Sequence, residues 1–294
     1  MKKIGVVGSI NMDMTVKAER IPRKGETLKG EDLQYIPGGK GANQAAAMAK
    51  LGVNVEMFGC VGNDEAGSAL IMNLKNTGVE TRNIKTIKDV PTGLAIITVG
   101  ENDNTIVVVA GANECVDICY VNEIKDALLE CDIVLLQHEI PQDTIEYVIN
   151  LCVENQVKVV LNPGPARPVK TEVLEKVTYL TPNEHEAVIL FGRENTFEEL
   201  LKKYPEKLVI TQGSRGVSTC LKNGEILTVP ARKSKVVDTT GAGDTLNGAF
   251  TVALTEGRTI DEALRFANIA AGLSTEKFGA QGGMPCYEEV MQEY

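Results

Sequence analysis

The stretch from Val236 to Phe250, VVDTTGAGDTLNGAF, gathers the residue types that chemistry on an anionic ligand requires. A β-branched run leads to glycines at 241 and 243, and a helix is expected to open at Asp244. Glycine lets backbone approach a ligand, the first amides of a helix lack internal acceptors, and the helix dipole adds positive potential at that end. The turn therefore reads as an anion hole. Asp244 at its mouth can accept a proton from a substrate hydroxyl while the amides hold a phosphoryl group in transfer. Asp is also a favoured helix cap, and Thr, Gly and Asp are ordinary turn residues. On this stretch alone the cap is the commoner explanation.

Composition bounds the alternatives. The 294 residues are 43% hydrophobic and 24% charged, ordinary for a globular chain with a sizeable core. A net charge of -10 without a concentrated basic face argues against nucleic acid as a partner. The opening MKKIGVVGSINMD is apolar too briefly for a signal peptide or membrane span, which implies a cytoplasmic protein with no membrane partner. Seven cysteines without a CxxC pair read as reduced thiols. With only His138 and His185 present, a structural zinc site and a Ser-His-Asp or Cys-His hydrolase have little support.

The elements that position Asp244 follow from periodicity. Lys3 to Ile10 is an expected buried strand, with Asn11 and Asp13 at its carboxyl end. Met14 to Ile21 and Thr27 to Ile36 alternate polar and apolar residues around a turn, as one half of a β lid. GGKGANQAAAMAKLG, Gly38 to Gly52, predicts a glycine entry and an Ala-rich helix with Lys40 and Asn43 in its first turn. It is not a Walker loop, because Gly41 stands where Ser or Thr belongs, and no GxGxxG opens the chain. Lys40 reads equally as a solvated surface lysine.

Val55 to Val61 is a strand and Asp64 to Asn76 its helix, followed by a hairpin of Thr92 to Val99 and Asn104 to Ala110 joined by residues 100–103. That hairpin is the second half of the lid. Strands at Ile133 to Gln137, Lys158 to Leu161, Tyr179 to Thr181 and Leu208 to Thr211 then alternate with helices at Thr144 to Asn155, Glu184 to Leu190 and Glu198 to Tyr204, with an apolar hairpin from Val217 to Val229. The fold class is α/β, a central mostly parallel sheet covered by helices on both faces. Residues 1–13, 37–91 and 111–294 form the expected core, and 14–36 with 92–110 the lid. Asn11, Asp13, Glu139, Asn183 with Glu186, Thr211 to Gly216, and Asp244 all fall near strand carboxyl ends, the edge where open α/β sheets bind ligands. That recurrence favours a site over a cap.

The segments GSINMD, PRKGETLKG, GGKGANQAAA, TPNEHEA, TQGSRG and DTTGAGDTLNGAF occur in an order and spacing that resemble the ribokinase family of sugar kinases, the group that includes phosphofructokinase B. The likeness covers nearly the whole chain. It implies ATP-dependent transfer of the γ-phosphoryl group to the C5 hydroxyl of D-ribose, with Asp244 as base and the amides of Gly241, Ala242 and Gly243 holding the phosphoryl charge. It places ribose against Asn11, Asp13, Gly39, Lys40, Gly41, Ala42, Asn43, Glu139 and Asp244. ATP falls to Asn183, Thr211, Gln212, Gly213, Ser214, Arg215, Gly216, Gly243, Asp244 and Asn268, with Glu186 holding Mg²⁺ through water. K⁺ is implied at Asp238, Thr240, Ser274, Lys277, Gly279 and Gly283, and some family members carry serine where Gly283 stands here. A homodimer through the lids is implied as well. A same-family kinase for 2-deoxyribose, a nucleoside or a sugar phosphate, and a non-catalytic sugar or nucleotide sensor, are the alternatives.

Overall fold

A computed structural model describes residues 2–101 and 103–294. Met1, in the first expected core segment, and Asn102, in the expected hairpin turn, lie outside the described residues. The strands are β1 (Lys3–Val7), β2 (Asn11–Lys17), β3 (Asp32–Gly38), β4 (Asn54–Gly62), β5 (Ile84–Ile87), β6 (Gly93–Gly100), β7 (Asp103–Val109), β8 (Ile133–Gln137), β9 (Lys158–Asn162), β10 (Tyr179–Leu180), β11 (Val209–Thr211), β12 (Val217–Cys220) and β13 (Ile226–Val229). The helices are α1 (Lys40–Lys50), α2 (Glu65–Thr77), α3 (Ile118–Leu129), α4 (Gln142–Glu154), α5 (Thr171–Lys176), α6 (Glu184–Phe191), α7 (Phe197–Lys203), α8 (Ala242–Thr255), α9 (Ile260–Ser274), α10 (Ala280–Gly283) and α11 (Tyr287–Met291).

Six parallel strands form the central sheet in the order β10-β9-β8-β1-β4-β5. The runs KIGVV, IVLLQ and KVVLN are buried almost throughout, as strands covered on both faces must be. Successive side chains point to opposite faces, so Ile4 and Val6 join a core with α1, α8 and α9, while Val7 joins another with α3 and α4. Parallel bridges Leu180 to Leu208 and Asn183 to Thr211 attach the antiparallel sheet β11-β12-β13 beyond β10. A separate outer sheet runs β3-β2-β6-β7.

Several expectations change. The first strand stops at Val7, and Asn11 and Asp13 do not trail its end; they begin β2, which pairs antiparallel with β3 and parallel with β6. The β-branched run before Gly241 is an exposed loop, with Val236 59% and Val237 61% accessible. The expected element list lacked β5, α3, α5, α9, α10 and α11. β5 is a four-residue strand at the sheet edge, and α5 is six residues long, both too brief to show a period. α3 is legible afterwards: Asp117 caps it by accepting from Tyr120 N at 2.8 Å, and Tyr120, Val121, Ile124 and Leu128 share its buried face. Among the described residues no helix is long and apolar enough to cross a membrane.

Candidate active site

α8 begins at Ala242, two residues earlier than expected, after Gly241 in a left-handed conformation with φ of 76°. A Cβ on Gly241 would stand 2.8 Å from Ala280 Cα, so glycine lets the start of α8 abut the start of α10. Gly243 faces open space, and the amide of Ala242 donates to Thr239 O at 3.2 Å. Asp244 is the third helical residue and only 7% exposed.

The close crossing of α1 and α8 sets the surroundings of that carboxylate. A Cβ on Gly248 would fall 2.9 Å from Ala47 Cβ and 3.1 Å from Gln44 O, so glycine against the Ala-rich helix brings the two backbones together. Asn43 and Gln44 consequently face Asp244: Asn43 Nδ2 donates to Oδ2 at 3.0 Å and Gln44 Nε2 to Oδ1 at 2.9 Å. Gln44 Nε2 also donates to Asn162 Oδ1 at 3.1 Å, and its Oε1 accepts from Gln137 Nε2 at 2.7 Å. Each carboxylate oxygen thus has one amide partner, which leaves accepting capacity on both for a hydroxyl.

The sugar-side candidates lie close enough for Asp13 and Lys40 to feel the charges of Asp244 and Glu139. Asn11 is 4% exposed, and its Oδ1 accepts from Asn113 Nδ2 at 2.7 Å. Glu139, just past β8, accepts from Ser9 Oγ at 2.5 Å and from Lys40 N at 3.0 Å. Glycines leave the space these groups occupy. A Cβ on Gly38 would sit 2.3 Å from Asp13 Oδ2, and one on Gly39, whose φ is 86°, would sit 2.8 Å from Asn11 N. A Cβ on Gly41 would sit 2.7 Å from Ser9 N, and Ala42 N donates to Ser9 O at 2.9 Å. Burial, reinforced by the charges of Glu139 and Asp244, pushes the Asp13 carboxyl up to about 7. Lys40 moves upward, chiefly because Asp244 favours its charged form, with Glu139 and Glu186 adding to this against the opposing effect of burial.

The nucleotide-side candidates gather on α6, β11 and the turn after it. Asn183 caps α6 in a capping box, accepting from Glu186 N at 2.8 Å while Glu186 Oε2 accepts from Asn183 N at 2.8 Å. The other oxygen of Glu186 turns toward Gly164, where a Cβ would lie 2.8 Å from Oε1 and 3.5 Å from Lys40 Nζ. Thr211 ends β11, and residues 213–215 make a 3₁₀ turn at the same sheet edge. Gln212 accepts from Ser218 Oγ at 2.7 Å, and Arg215 is paired with Glu184. Gly216 has φ of 97° and lies against Val229 O. The buried Asn268 spends its amide donors on the carbonyls of Val229 and Pro230.

The cation-loop residues also converge. Asp238 accepts from Thr240 N and Gly279 N, each at 2.9 Å. Burial opposes its carboxylate, but bonds from Thr240 and the Gly279 amide outweigh this and hold it below the usual range. Gly283 packs over two carbonyls: a Cβ there would stand 2.2 Å from Ser274 O and 3.4 Å from Lys277 O. The Lys277 side chain turns away to Glu289 at 3.2 Å. Among the described residues no group of three or more His, Cys, Asp and Glu could hold a metal. One carboxylate with neutral carbonyls is a donor set suited to a weakly charged, hard cation.

Sequence reasoning missed Ser9, Gln44, Asn113, Gln137 and Gln281. Gln44 carried a signal, being, with Asn43, a polar residue buried in a mostly Ala-rich helix. The others become visible only when distant segments meet.

A family model described as pfkB family carbohydrate kinase matches residues 1–286. The chain is 49% identical over 290 residues to the ribokinase of Bacillus subtilis, covering 99% of this chain and 98% of that protein. It is 47% identical over 292 residues to the ribokinase of Lactococcus lactis, covering 99% and 96%. The structure of Arabidopsis thaliana ribokinase complexed with ribose and ATP superimposes with a TM-score of 0.92 at 34% identity, covering 99% of this chain and 98% of that one.

Proposed function

The chain belongs to the pfkB family of carbohydrate kinases, and from that premise we infer that it transfers the γ-phosphoryl group of ATP to the C5 hydroxyl of D-ribose, giving D-ribose 5-phosphate. The observation that carries the reading is Asp244: a buried carboxylate in the first turn of α8, held by two amides, whose charge is felt by both Asp13 and Lys40.

Asn11, Asp13, Lys40, Asn43 and Glu139 bind and orient the sugar hydroxyls. A site built for paired hydroxyl bonds rejects analogues lacking them, because its own buried groups are then left unpaired. Asp244 removes the C5 proton as the oxygen attacks in line, and the amides at the start of α8, from Gly241 to Gly243, hold the phosphoryl oxygens. Asn183, Thr211 to Gly216 and Asn268 make the nucleotide subsite. Glu186, with one oxygen spent on the cap and the other turned toward Gly164, is suited to hold Mg²⁺ through water, where the ion would supply charge neutralisation for phosphoryl transfer. Asp238, Thr240, Ser274, Lys277, Gly279 and Gly283 would hold K⁺ and steady the loop against α8.

Residues 14–36 and 92–110 act as a lid over a core made of the rest of the chain, excluding water on closure. Its two edge strands expose Leu33 and Tyr35 on β3 and Ile106 to Val109 on β7, which supports pairing of lid with lid in a homodimer. Seven unpaired cysteines favour a reducing, cytoplasmic setting.

The test is ADP release with Mg-ATP and D-ribose, beside 2-deoxyribose, adenosine and fructose 6-phosphate, each with and without K⁺. Turnover on ribose that rises with K⁺ supports the substrate and the cation loop together. Preference for another acceptor overturns the sugar assignment, and no turnover on any overturns the kinase.

A further inference from the structure

Between α1, α2 and α10 runs a line of carboxamides of which sugar binding accounts for Asn43 alone. Asn73 Nδ2 donates to Gln281 Oε1 at 2.7 Å, Gln281 Nε2 to Asn43 Oδ1 at 3.0 Å, and Asn43 Nδ2 to Asp244 Oδ2 at 3.0 Å. Chemistry sets the direction of this line. A carboxylate only accepts, so Asn43 must turn its NH₂ to Asp244 and its oxygen to Gln281; Gln281 must then present its own NH₂ to Asn43 and its oxygen to Asn73. The order could not be reversed without setting two acceptors face to face.

We propose that Gln281 is a positioning residue for phosphoryl transfer, acting through Asn43 to fix the plane of the Asp244 carboxylate. The proposal rests on the functional reading above. The terminal torsion of Asn is broad, so the Asn43 carboxamide has little intrinsic preference between its two faces. Gln281, only 9% exposed, selects the face that gives Asp244 a donor. α10, which carries Gln281, is itself seated on α1, because Lys50 Nζ donates to the carbonyls of Gln281 and Met284. It follows Gly279, whose amide bonds Asp238, so the loop from 274 to 283 and the base are joined by two side chains. A shift of that loop turns Asn43, and Asn43 turns the base.

The experiment compares Gln281→Ala and Gln281→Met, each alone and in an Asn43→Ala background, reading kcat and KM for ribose and ATP together with the melting temperature. Met keeps the bulk and removes both hydrogen bonds. Both single variants are expected to lower kcat about 10- to 100-fold, the range that misorientation of a reacting group produces, with KM for ATP nearly unchanged. In the Asn43→Ala background Gln281→Met should cost less than about twofold, since the intermediary is already gone. Wild-type kcat in Gln281→Met, or an undiminished loss in the Asn43→Ala background, overturns the proposal. An inactive wild-type enzyme would instead overturn the functional reading, so the two failures are distinct.

Discussion

Lowering the pH from 8 to 6 should weaken ribose binding by roughly tenfold through Asp13 alone. Its carboxyl titrates at about 7, raised first by burial and then by Glu139 and Asp244; the neighbouring cation, Lys40, is shifted upward and stays charged across this range. If ribose hydroxyls donate to the ionised form, the apparent dissociation constant is the intrinsic one divided by the ionised fraction. That fraction is about nine-tenths at pH 8, half at pH 7 and about one-tenth at pH 6. Calorimetric titration with ribose in the absence of ATP measures it directly, and Asp13→Asn should bind more weakly but with a flatter pH profile. Stability supplies an independent check on the sign. The folded value lies above the ordinary 3.8, so the stability linked to protonation is fully present below about pH 4 and is lost as pH rises through 7. Asp13→Asn should therefore melt higher than wild type at pH 8 and nearly level with it at pH 4. Wild-type ribose affinity that is constant between pH 8 and 6 would refute the reasoning.

Asp244→Asn should lower kcat by about a hundred- to ten-thousand-fold while ATP affinity holds, and equilibrium nucleotide binding beside steady-state rates checks both halves. Gly38→Ala drives a methyl group into the Asp13 carboxyl; kcat/KM for ribose should fall about 10- to 100-fold with KM for ATP unchanged, and equal loss for both substrates would point instead to general misfolding. Ile106→Lys, on the exposed edge strand β7, should shift sedimentation toward the monomer at assay concentration if lids pair, and leave it unchanged if they do not.

The legible part of this molecule was the part written in local pattern. VVLN, IVLLQ and the Ala-rich run after GGKG each imply one element, and the glycine turn before Asp244 implied a helix N-terminus without help from the rest of the chain. What stayed hidden depended on segments far apart in sequence. Gln44 matters because Gly248 lets α8 press onto α1, 200 positions away at the Gln44–Asp244 bond, and no period in either helix announces that crossing. Asn11 and Asp13 were placed near the site, yet in the wrong element: apolar continuity from Lys3 to Ile10 masked a chain that leaves the central sheet after Val7. The β-branched Val236 and Val237 found no neighbouring strand to pair with, and propensity without a partner makes no strand.

β2 carries Asn11 and Asp13 at one end and reaches Lys17 in the outer sheet at the other. With about 3.3 Å per residue, the strand is some 20 Å long. Asp13 is two residues from Asn11 and Lys17 is six, so were the strand to tilt as a rod about Asn11, a displacement of its outer end would reach Asp13 reduced to about a third. The strand would then serve as a reduction gear: a shift of about 1 Å at the outer sheet would move Asp13 by about a third of an ångström, within hydrogen-bonding tolerance.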